Sequence, residues 1–363
     1  MNPQPDFVFR GHRAAVNAVH FFAGDRILAS GDQDGVLILW SMPLKRQLVA
    51  VRDAHAGPIL AVGSAGADTV VSQGRDDVLK VWTLSTNTLS GSMQLTASMP
   101  VDSMTFCRLS IAIGAAGAWI GALDKAESGN AFVYNVARGE RCTFSVARAS
   151  GTRSGAREDA PTCLQLAARS GGGGLDLYVG YESMVVRRYA VDPAPGAAEA
   201  VLVWEVPTAH KEPIMSVNVD AAGECVYTCA ADNQVCCIAA GVSGVPEVRQ
   251  AGALPHPGGA EIRCFASPPL VAVAGWDYAV HLFTRGLEPA GTVRFHRAAL
   301  TSVDMTTQSA EALPGAADDL AQQRWRTRPQ WLAVASRDGR ISLWDVGRIT
   351  CSQQPDPVSS TCA

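Results

Sequence analysis

Near its C-terminus the chain reads Ala335-Ser336-Arg337-Asp338-Gly339-Arg340-Ile341-Ser342-Leu343-Trp344. In this stretch an aspartate lies six residues before a tryptophan. The same spacing recurs in Asp34–Trp40, Asp76–Trp82 and Asp277–Phe283, and in a weaker form in Asp232–Ile238. A spacing that returns along a chain indicates an internal repeat, which has to be identified before any other feature is interpreted.

Histidines mark the start of the same repeat. The distance from histidine to aspartate is 21 or 22 residues in the units that begin at His12, His55, His210 and His256. His296 opens the last unit, where an insertion separates it from Asp338. Five of the seven histidines in the chain therefore occupy one position of the repeat.

Each unit consists of short runs rich in valine, isoleucine, leucine and aromatic residues, bounded by glycine, aspartate and asparagine. In the first unit these predicted strands are Val16–Phe22, Arg26–Ser30 and Val36–Trp40. No long segment shows the 3.6-residue period of an amphipathic helix. The sequence therefore predicts an all-β fold, a seven-bladed β-propeller of the WD40 type with four strands in each blade.

Two of the seven units lack the histidine and the aspartate. For blade three, about Val101 to Phe144, we predict strands at Asp102–Cys107, Ser110–Gly114 and Ala131–Tyr134, with an insertion at Ala115–Gly129. For blade four, about Thr162 to Val206, we predict strands at Thr162–Leu166, Leu175–Val179 and Val185–Tyr189. Alanine, glycine, proline and serine mark surface loops at Ala147–Ala160, Ser170–Gly174 and Thr306–Arg328.

The predicted domain is a single propeller over residues 1–347. Its blades are expected at about 11–50, 51–98, 99–146, 161–206, 207–250, 251–293 and 294–347. The last unit ends at Trp344-Asp345-Val346 without an outer strand, and residues 7–10 form a strand without a blade. Pairing the two would close the ring and remove two exposed sheet edges. Residues 348–363 are expected to form a disordered tail.

The composition is that of an ordinary globular protein, with 47% hydrophobic residues, 18% charged residues and a net charge of -4. This charge favours neither nucleic acid nor an anionic membrane as a partner. The ten cysteines include no CxxC pair, so we expect buried thiols in a reducing compartment, the nucleus or the cytoplasm, and no metal or cofactor. Residues 1–6 show no signal-peptide pattern.

Serine, histidine and aspartate suggest nucleophilic catalysis when they occur together. Here the set recurs, as His12, Ser30, Asp34 and Trp40, as His55, Ser72, Asp76 and Trp82, and as His210, Thr228 and Asp232. A catalytic site is normally singular, whereas a structural network repeats with the fold. We therefore predict buried chains of hydrogen bonds from the indole through the hydroxyl and imidazole to the carboxylate, and no enzymatic activity.

The turns before the repeated aspartates form a candidate partner-binding rim. They contain Gln33, Arg75, Trp276 and Arg337. Exposed tryptophan and arginine are enriched in the residues that dominate binding energy. The alternative is that Trp276 folds between blades and the arginines pair with local acids. Residues Arg324–Arg328 mix basic and aromatic side chains that could suit nucleic acid or an acidic peptide, but a solvated loop entering a strand is the favoured interpretation.

Several blade-specific strings resemble one family. They are Ser72-Gln73-Gly74-Arg75-Asp76 with Leu79-Lys80-Val81-Trp82, Phe106-Cys107-Arg108, Ala274-Gly275-Trp276-Asp277, Phe295-His296 and the stretch from Ala335 to Trp344. In this order they resemble the G-protein β-subunit-like protein 1 family, whose fungal members are called ASTRA-associated protein 1. The similarity extends from Phe7 to Val346, although the loop insertions and Ile238 depart from the family pattern.

The resemblance implies a non-catalytic adaptor that is a monomer within a larger complex. Family members assist the maturation of phosphatidylinositol-3-kinase-related kinases, together with a Tel2-type co-chaperone complex and the Hsp90 machinery. Fungal members are placed in a chromatin-associated ASTRA complex, so the resemblance implies nuclear and cytoplasmic localisation. We expect no membrane partner and no direct contact with nucleic acid.

Other propeller functions remain open. A heterotrimeric G-protein β subunit needs an N-terminal coiled-coil helix, for which the ten residues before Gly11 are too few. A cullin-4 substrate receptor usually has arginine two places after the WD dipeptide, whereas Arg348 lies one place further on. A histone-tail reader would need an acidic or aromatic cage at the central channel. A propeller enzyme would need a cluster of acids or metal ligands outside the repeat.

Overall fold

Seven four-stranded antiparallel sheets make up the part of the chain that the computed structural model describes. This part comprises residues 3–86, 91–127, 129–146, 159–169, 174–194, 197–240, 245–307 and 329–351. The predicted loop at Arg324–Arg328, most of the other predicted loops and residues 352–363 lie outside it. The predicted seven-bladed WD40 β-propeller is confirmed.

Each blade runs from an inner strand at the central channel to an outer strand. Blade one contains β2 (Val16–Phe22), β3 (Ile27–Asp32), β4 (Leu37–Ser41) and β5 (Arg46–Val51). Blade two contains β6 (Ile59–Ser64), β7 (Thr69–Gly74), β8 (Val78–Thr86) and β9 (Gly91–Pro100). Blade three contains β10 (Ser110–Gly114), β11 (Gly117–Leu123), β12 (Asn130–Asn135) and β13 (Glu140–Ser145).

The remaining blades follow the same order. Blade four contains β14 (Pro161–Ala168), β15 (Leu175–Tyr181), β16 (Val185–Ala194) and β17 (Ala197–Pro207). Blade five contains β18 (Ile214–Val219), β19 (Cys225–Ala230), β20 (Gln234–Ala240) and β21 (Pro246–Ala253). Blade six contains β22 (Gly259–Phe265), β23 (Leu270–Gly275), β24 (Ala279–Thr284) and β25 (Pro289–Arg294). Blade seven contains β26 (Leu300–Met305), β27 (Trp331–Ser336), β28 (Arg340–Asp345) and, outermost, β1 (Phe7–Arg10).

The N-terminal strand closes the ring, as predicted. Strand β1 pairs antiparallel with β28, with Phe7 opposite Leu343 and Phe9 opposite Ile341. Phe9 is buried and lies 5.0 Å from Trp40 of blade one, measured between ring centroids. Backbone hydrogen bonds therefore fix β1 within blade seven, and a hydrophobic core that contains Phe9 and Trp40 is shared by the first and last blades.

Antiparallel pairing gives the propeller two distinct faces. The loops between blades and the turns between second and third strands lie on one face, here called the upper face. The turns between first and second strands, and between third and outer strands, lie on the opposite lower face. All four residues of the predicted rim therefore belong to the upper face.

Blade three differs from the prediction in its first two strands. Its inner strand is Ser110–Gly114, and Asp102–Cys107 is a loop on the upper face. The predicted insertion at Ala115–Gly129 contains the second strand, Gly117–Leu123. Small residues suggested a flexible loop there, but Gly117 has a φ of 102° and permits a tight turn, after which Trp119 and Ile120 are buried.

The predicted disordered tail also differs in its first residues. Residues Val346–Cys351 form a short helix, α1. Val346 and Ile349 are three residues apart, so they lie on the same side of the helix, where both are buried against the core between blades six and seven. No helix in the described part of the chain has the length and apolar character needed to cross a membrane.

Candidate functional site

The network in blade two joins four side chains in the order expected. The indole Nε1 of Trp82 donates to the hydroxyl of Ser72 at 2.9 Å. The Ser72 hydroxyl lies 2.8 Å from Nε2 of His55, whose Nδ1 lies 2.9 Å from a carboxylate oxygen of Asp76. Each proton has one acceptor if the imidazole is neutral and carries its hydrogen on Nδ1.

The surroundings of His55 favour this neutral form. Burial lowers the pKa of His55 below its ordinary value, and this effect exceeds the opposing effect of Asp76. Burial alone would raise the pKa of Asp76, but hydrogen bonds from the Ala56 backbone and from His55 outweigh it and lower this pKa. The pair therefore consists of a neutral imidazole and an ionised carboxylate.

The aspartate predicted for the blade-one network is wrong. Nδ1 of His12 lies 2.7 Å from Asp32, and Nε2 lies 2.7 Å from the Ser30 hydroxyl. Asp34 is exposed and only its backbone N–H contacts Asp32. Asp32 is the buried residue, because it lies on β3 itself and also accepts the N–H of Val36. Asp34 has the repeated spacing of six residues before Trp40, whereas Asp32 lies eight residues before it, so the spacing favoured the aspartate that the network does not use.

Related networks occur in blades five and seven. In blade five Nε2 of His210 lies 2.9 Å from Thr228 and Nδ1 lies 3.1 Å from Asp232. In blade seven His296 binds Asp338 at 2.9 Å and Ser342 at 2.8 Å, and Ser342 also accepts the Trp344 indole at 2.8 Å. Ser342 was not predicted from the sequence. It lies on the third strand of its blade, two residues before Trp344, whereas the predicted hydroxyls lie on the second strand of theirs.

Blade six departs from the repeat. His256 is exposed, although it occupies the repeated histidine position. Its aspartate, Asp277, instead contacts His281 at 3.1 Å and Arg294 at 2.7 Å. In blade four the hydroxyls of Tyr181 and Tyr189 both donate to the Val146 carbonyl. Blades four and six thus pair these buried hydroxyl and carboxylate groups with partners other than those of the repeated network.

These groups form a structural framework. The hydroxyls of Ser30, Ser72 and Thr228 are fully buried, so a substrate cannot reach them. The described cysteines are free thiols, and burial raises the pKa of Cys163 and Cys264 to about 12. Among the described residues no group of three or more histidine, cysteine, aspartate or glutamate side chains could hold a metal ion.

The central channel contains a cavity of about 970 Å³. Arg108 extends from blade three to the opposite side, where it lies 3.1 Å from the buried Glu261 and donates to the Thr301 carbonyl at 2.8 Å. Arg263 lies 2.9 Å from the same glutamate. Although burial would raise the pKa of Glu261, the charges of the two arginines outweigh it and lower this pKa. These three charged side chains of the channel are therefore paired with one another.

The predicted rim residues are exposed on the upper face. Gln33, Arg75 and Arg337 are exposed, and Trp276 is 40% exposed because its ring packs on Gly258. The structure adds three neighbours that the sequence did not single out: Met104 (84% exposed), Phe106 (62%) and Tyr278 (47%). The Arg75 guanidinium lies 5.0 Å from the Phe106 ring centroid. We call Gln33, Arg75, Met104, Phe106, Trp276, Tyr278 and Arg337 the upper rim.

The upper rim has the composition of a protein-binding surface. Large exposed apolar side chains are normally scattered singly over a protein surface, whereas here aromatic rings and arginines share the loops of one face. The loops are held by the backbone of the blades beneath them: for example, the Arg75 N–H donates to the Pro58 carbonyl at 2.8 Å. A rigid surface loses little conformational entropy on binding.

Comparisons with known proteins agree with this architecture. A family model described as WD domain, G-beta repeat, matches residues 3–41 and 314–345. The chain is 28% identical to guanine nucleotide-binding protein subunit beta-like protein 1 of Mus musculus, over 95% of this chain and 96% of the relative. It is 25% identical to ASTRA-associated protein 1 of Verticillium alfalfae, over 95% and 93%, and 25% identical to that of Schizosaccharomyces japonicus, over 95% and 99%.

The family resemblance inferred from the blade-specific strings is therefore confirmed at the level of overall similarity. Relatives of both names match nearly the whole chain, and the matches cover nearly the whole of each relative. A WD40 propeller with ASTRA-associated relatives supports a role as a scaffold or adaptor in a protein complex.

Proposed function

We propose that this chain is a non-catalytic adaptor in the co-chaperone-assisted maturation of phosphatidylinositol-3-kinase-related kinases, acting within or beside an ASTRA-like complex. The main observation in support is the upper rim, where exposed aromatic and arginine side chains lie on loops fixed by the propeller blades. The Tel2-type co-chaperone complex and the Hsp90 machinery are the proposed partners, in the nucleus and the cytoplasm. Similarity to ASTRA-associated proteins over most of the chain supports this choice of partners.

Two alternatives fit the geometry less well. In a cullin-4 substrate receptor the arginine usually lies two places after the WD dipeptide, whereas Arg348 lies one place further on, within the helix α1. A histone-tail reader needs a cage for a cationic side chain. In the described part of the channel, the acids Glu261 and Asp304 already contact Arg108, Arg263 and His20.

Affinity purification of the tagged full-length chain, followed by mass spectrometry, tests the proposal. We expect Tel2-type proteins or large kinases to be enriched over a tagged, unrelated seven-bladed propeller treated in the same way. Recovery of a G-protein γ subunit, or of cullin-4 adaptors without these proteins, would contradict it. Chemical cross-linking of the recovered complex should then place the contacts on the upper rim.

A further inference from the structure

A six-residue motif occurs twice in the chain and is only partly used by the structural networks. It reads Arg10-Gly11-His12-Arg13-Ala14-Ala15 before blade one and Arg294-Phe295-His296-Arg297-Ala298-Ala299 before blade seven. In both copies the histidine enters a buried network. In both copies the arginine that follows it is exposed on the upper face.

The two copies meet at one turn of blade seven. A Cβ on Gly339 would lie 3.2 Å from the Ala14 carbonyl oxygen, so the loop that carries Arg13 packs against the turn that follows Arg337. The Arg337 N–H donates to the Ala299 carbonyl at 3.0 Å, which places the Arg297 loop beside the same turn. Two more arginines flank it, since Arg10 lies directly opposite Arg340 in the pairing of β1 with β28.

We call Arg10, Arg13, Arg297, Arg337 and Arg340 the arginine cluster. Four of them are exposed, and Arg340 is half-buried. Among the described residues no carboxylate forms an ion pair with any of the five side chains. The segments 10–15, 294–299 and 336–341 contain one acid, Asp338, and its carboxylate is engaged by His296 and by the backbone N–H groups of Arg297 and Arg340.

Blade six offers a comparison for Arg10. There the first arginine of the motif, Arg294, lies 2.7 Å from Asp277, although His281 also contacts this aspartate at 3.1 Å. Arg10 occupies the equivalent place on the outer strand of blade seven, opposite Arg340. Among the described residues Arg10 forms no ion pair with Asp338, the aspartate of that blade, which His296 binds.

We propose that the arginine cluster binds an acidic segment of a partner protein, rich in aspartate and glutamate. Within the described part of the chain these five neighbouring cations share one nearby carboxylate, Asp338, and an approaching row of carboxylates would relieve their mutual repulsion. Guanidinium groups bind carboxylates through paired hydrogen bonds. Arg294, three residues before Arg297, donates from Nη1 to the Asp277 carbonyl, so the strand that leads into the Arg297 loop contacts the turn that carries Trp276 and Tyr278. This inference rests on the proposed adaptor function and specifies the kind of segment that the upper face receives.

Fluorescence anisotropy of the full-length chain with a labelled peptide of about eight glutamates tests the inference. We expect Arg13→Glu with Arg337→Glu to weaken binding at least about tenfold, the effect of losing one charged hydrogen bond. The matched control reverses two exposed arginines of the lower face, Arg138→Glu with Arg285→Glu, and changes the net charge equally. It should shift affinity less than about twofold. Arg13→Gln with Arg337→Gln serves as a second pair if the charge reversal impairs folding.

Three results would overturn the inference: no binding by the wild type, equal weakening by both pairs, or tighter binding of a DNA oligonucleotide of the same charge. If co-chaperones are recovered but the peptide does not bind, the adaptor function stands and this site assignment fails. If the peptide binds in a cluster-dependent manner and no co-chaperone is recovered, the site stands and the partner assignment fails.

Discussion

Asp32→Ala is expected to lower the free energy of unfolding by about 3 kcal/mol or more, whereas Asp34→Ala should change it by less than about 0.5 kcal/mol. Asp32 is 1% exposed and accepts hydrogen bonds from His12 and from the backbone N–H groups of Asp34 and Val36. Its removal leaves three donors without their acceptor, and each buried donor left unpaired costs about 1 to 3 kcal/mol.

The two variants control for each other, because each removes an aspartate and the two positions lie only two residues apart. Urea denaturation of both variants, followed by tryptophan fluorescence, measures the difference directly. A larger loss of stability in Asp34→Ala than in Asp32→Ala would contradict the assignment of the blade-one network.

Phe9→Ala is expected to cost about 3 to 5 kcal/mol, the usual range for removing a buried phenylalanine. Phe9 is buried between β28 and blade one, where its ring contacts those of Trp40 and Phe7. The loss should be larger than its position near the N-terminus suggests, because β1 is the outer strand of blade seven and closes the ring against β28.

Val8 is the matched control for Phe9. It is half-buried on the same strand, and its side chain points to the other face of the sheet. Val8→Ala should cost about 1 kcal/mol. If Phe9→Ala costs no more than Val8→Ala in the same denaturation experiment, β1 is not docked as described.

The fold could be predicted from the sequence because its signal is repeated. The spacing of Asp76 from Trp82 returns in several blades, so each copy supports the interpretation of the others. The closing strand followed from a physical requirement, since Phe7–Arg10 and the last blade each lacked a partner. Errors occurred where the repeat is absent: in blade three, the alanine- and glycine-rich stretch that contains Trp119 resembled a loop and is a strand.

The networks were predictable in kind but not always in detail. Asp32 and Asp34 have the same chemistry, and the choice between them depends on where β3 ends. Ser342 could be found only by recognising that the residue two places before Trp344 lies beside it on the same face of the strand. His256 fits the sequence spacing and takes no part in a network, because Asp277 contacts His281 and Arg294 instead.

The full set of upper-rim residues could not be predicted from the sequence, for a different reason. Sequence spacing placed Arg75 and Trp276 in turns of the same face, but it could not show that the Asp102–Cys107 segment is a loop of that face. Contacts between loops of different blades, such as that of Arg75 with Phe106, depend on the arrangement of the blades around the axis. They leave no periodic signal in the chain.

The central claim is that partner proteins bind the upper rim. It is tested most directly by quantitative co-purification of Tel2-type co-chaperones with two matched triple variants of the full-length chain. One replaces Arg75, Phe106 and Tyr278 of the upper rim with alanine, and the other replaces Arg138, Leu44 and Ile113 of the lower face. We predict at least about tenfold weaker capture by the upper-rim variant, with capture by the lower-face variant and both melting temperatures nearly unchanged. Equal capture by the two variants, or loss confined to the lower-face variant, would contradict the claim.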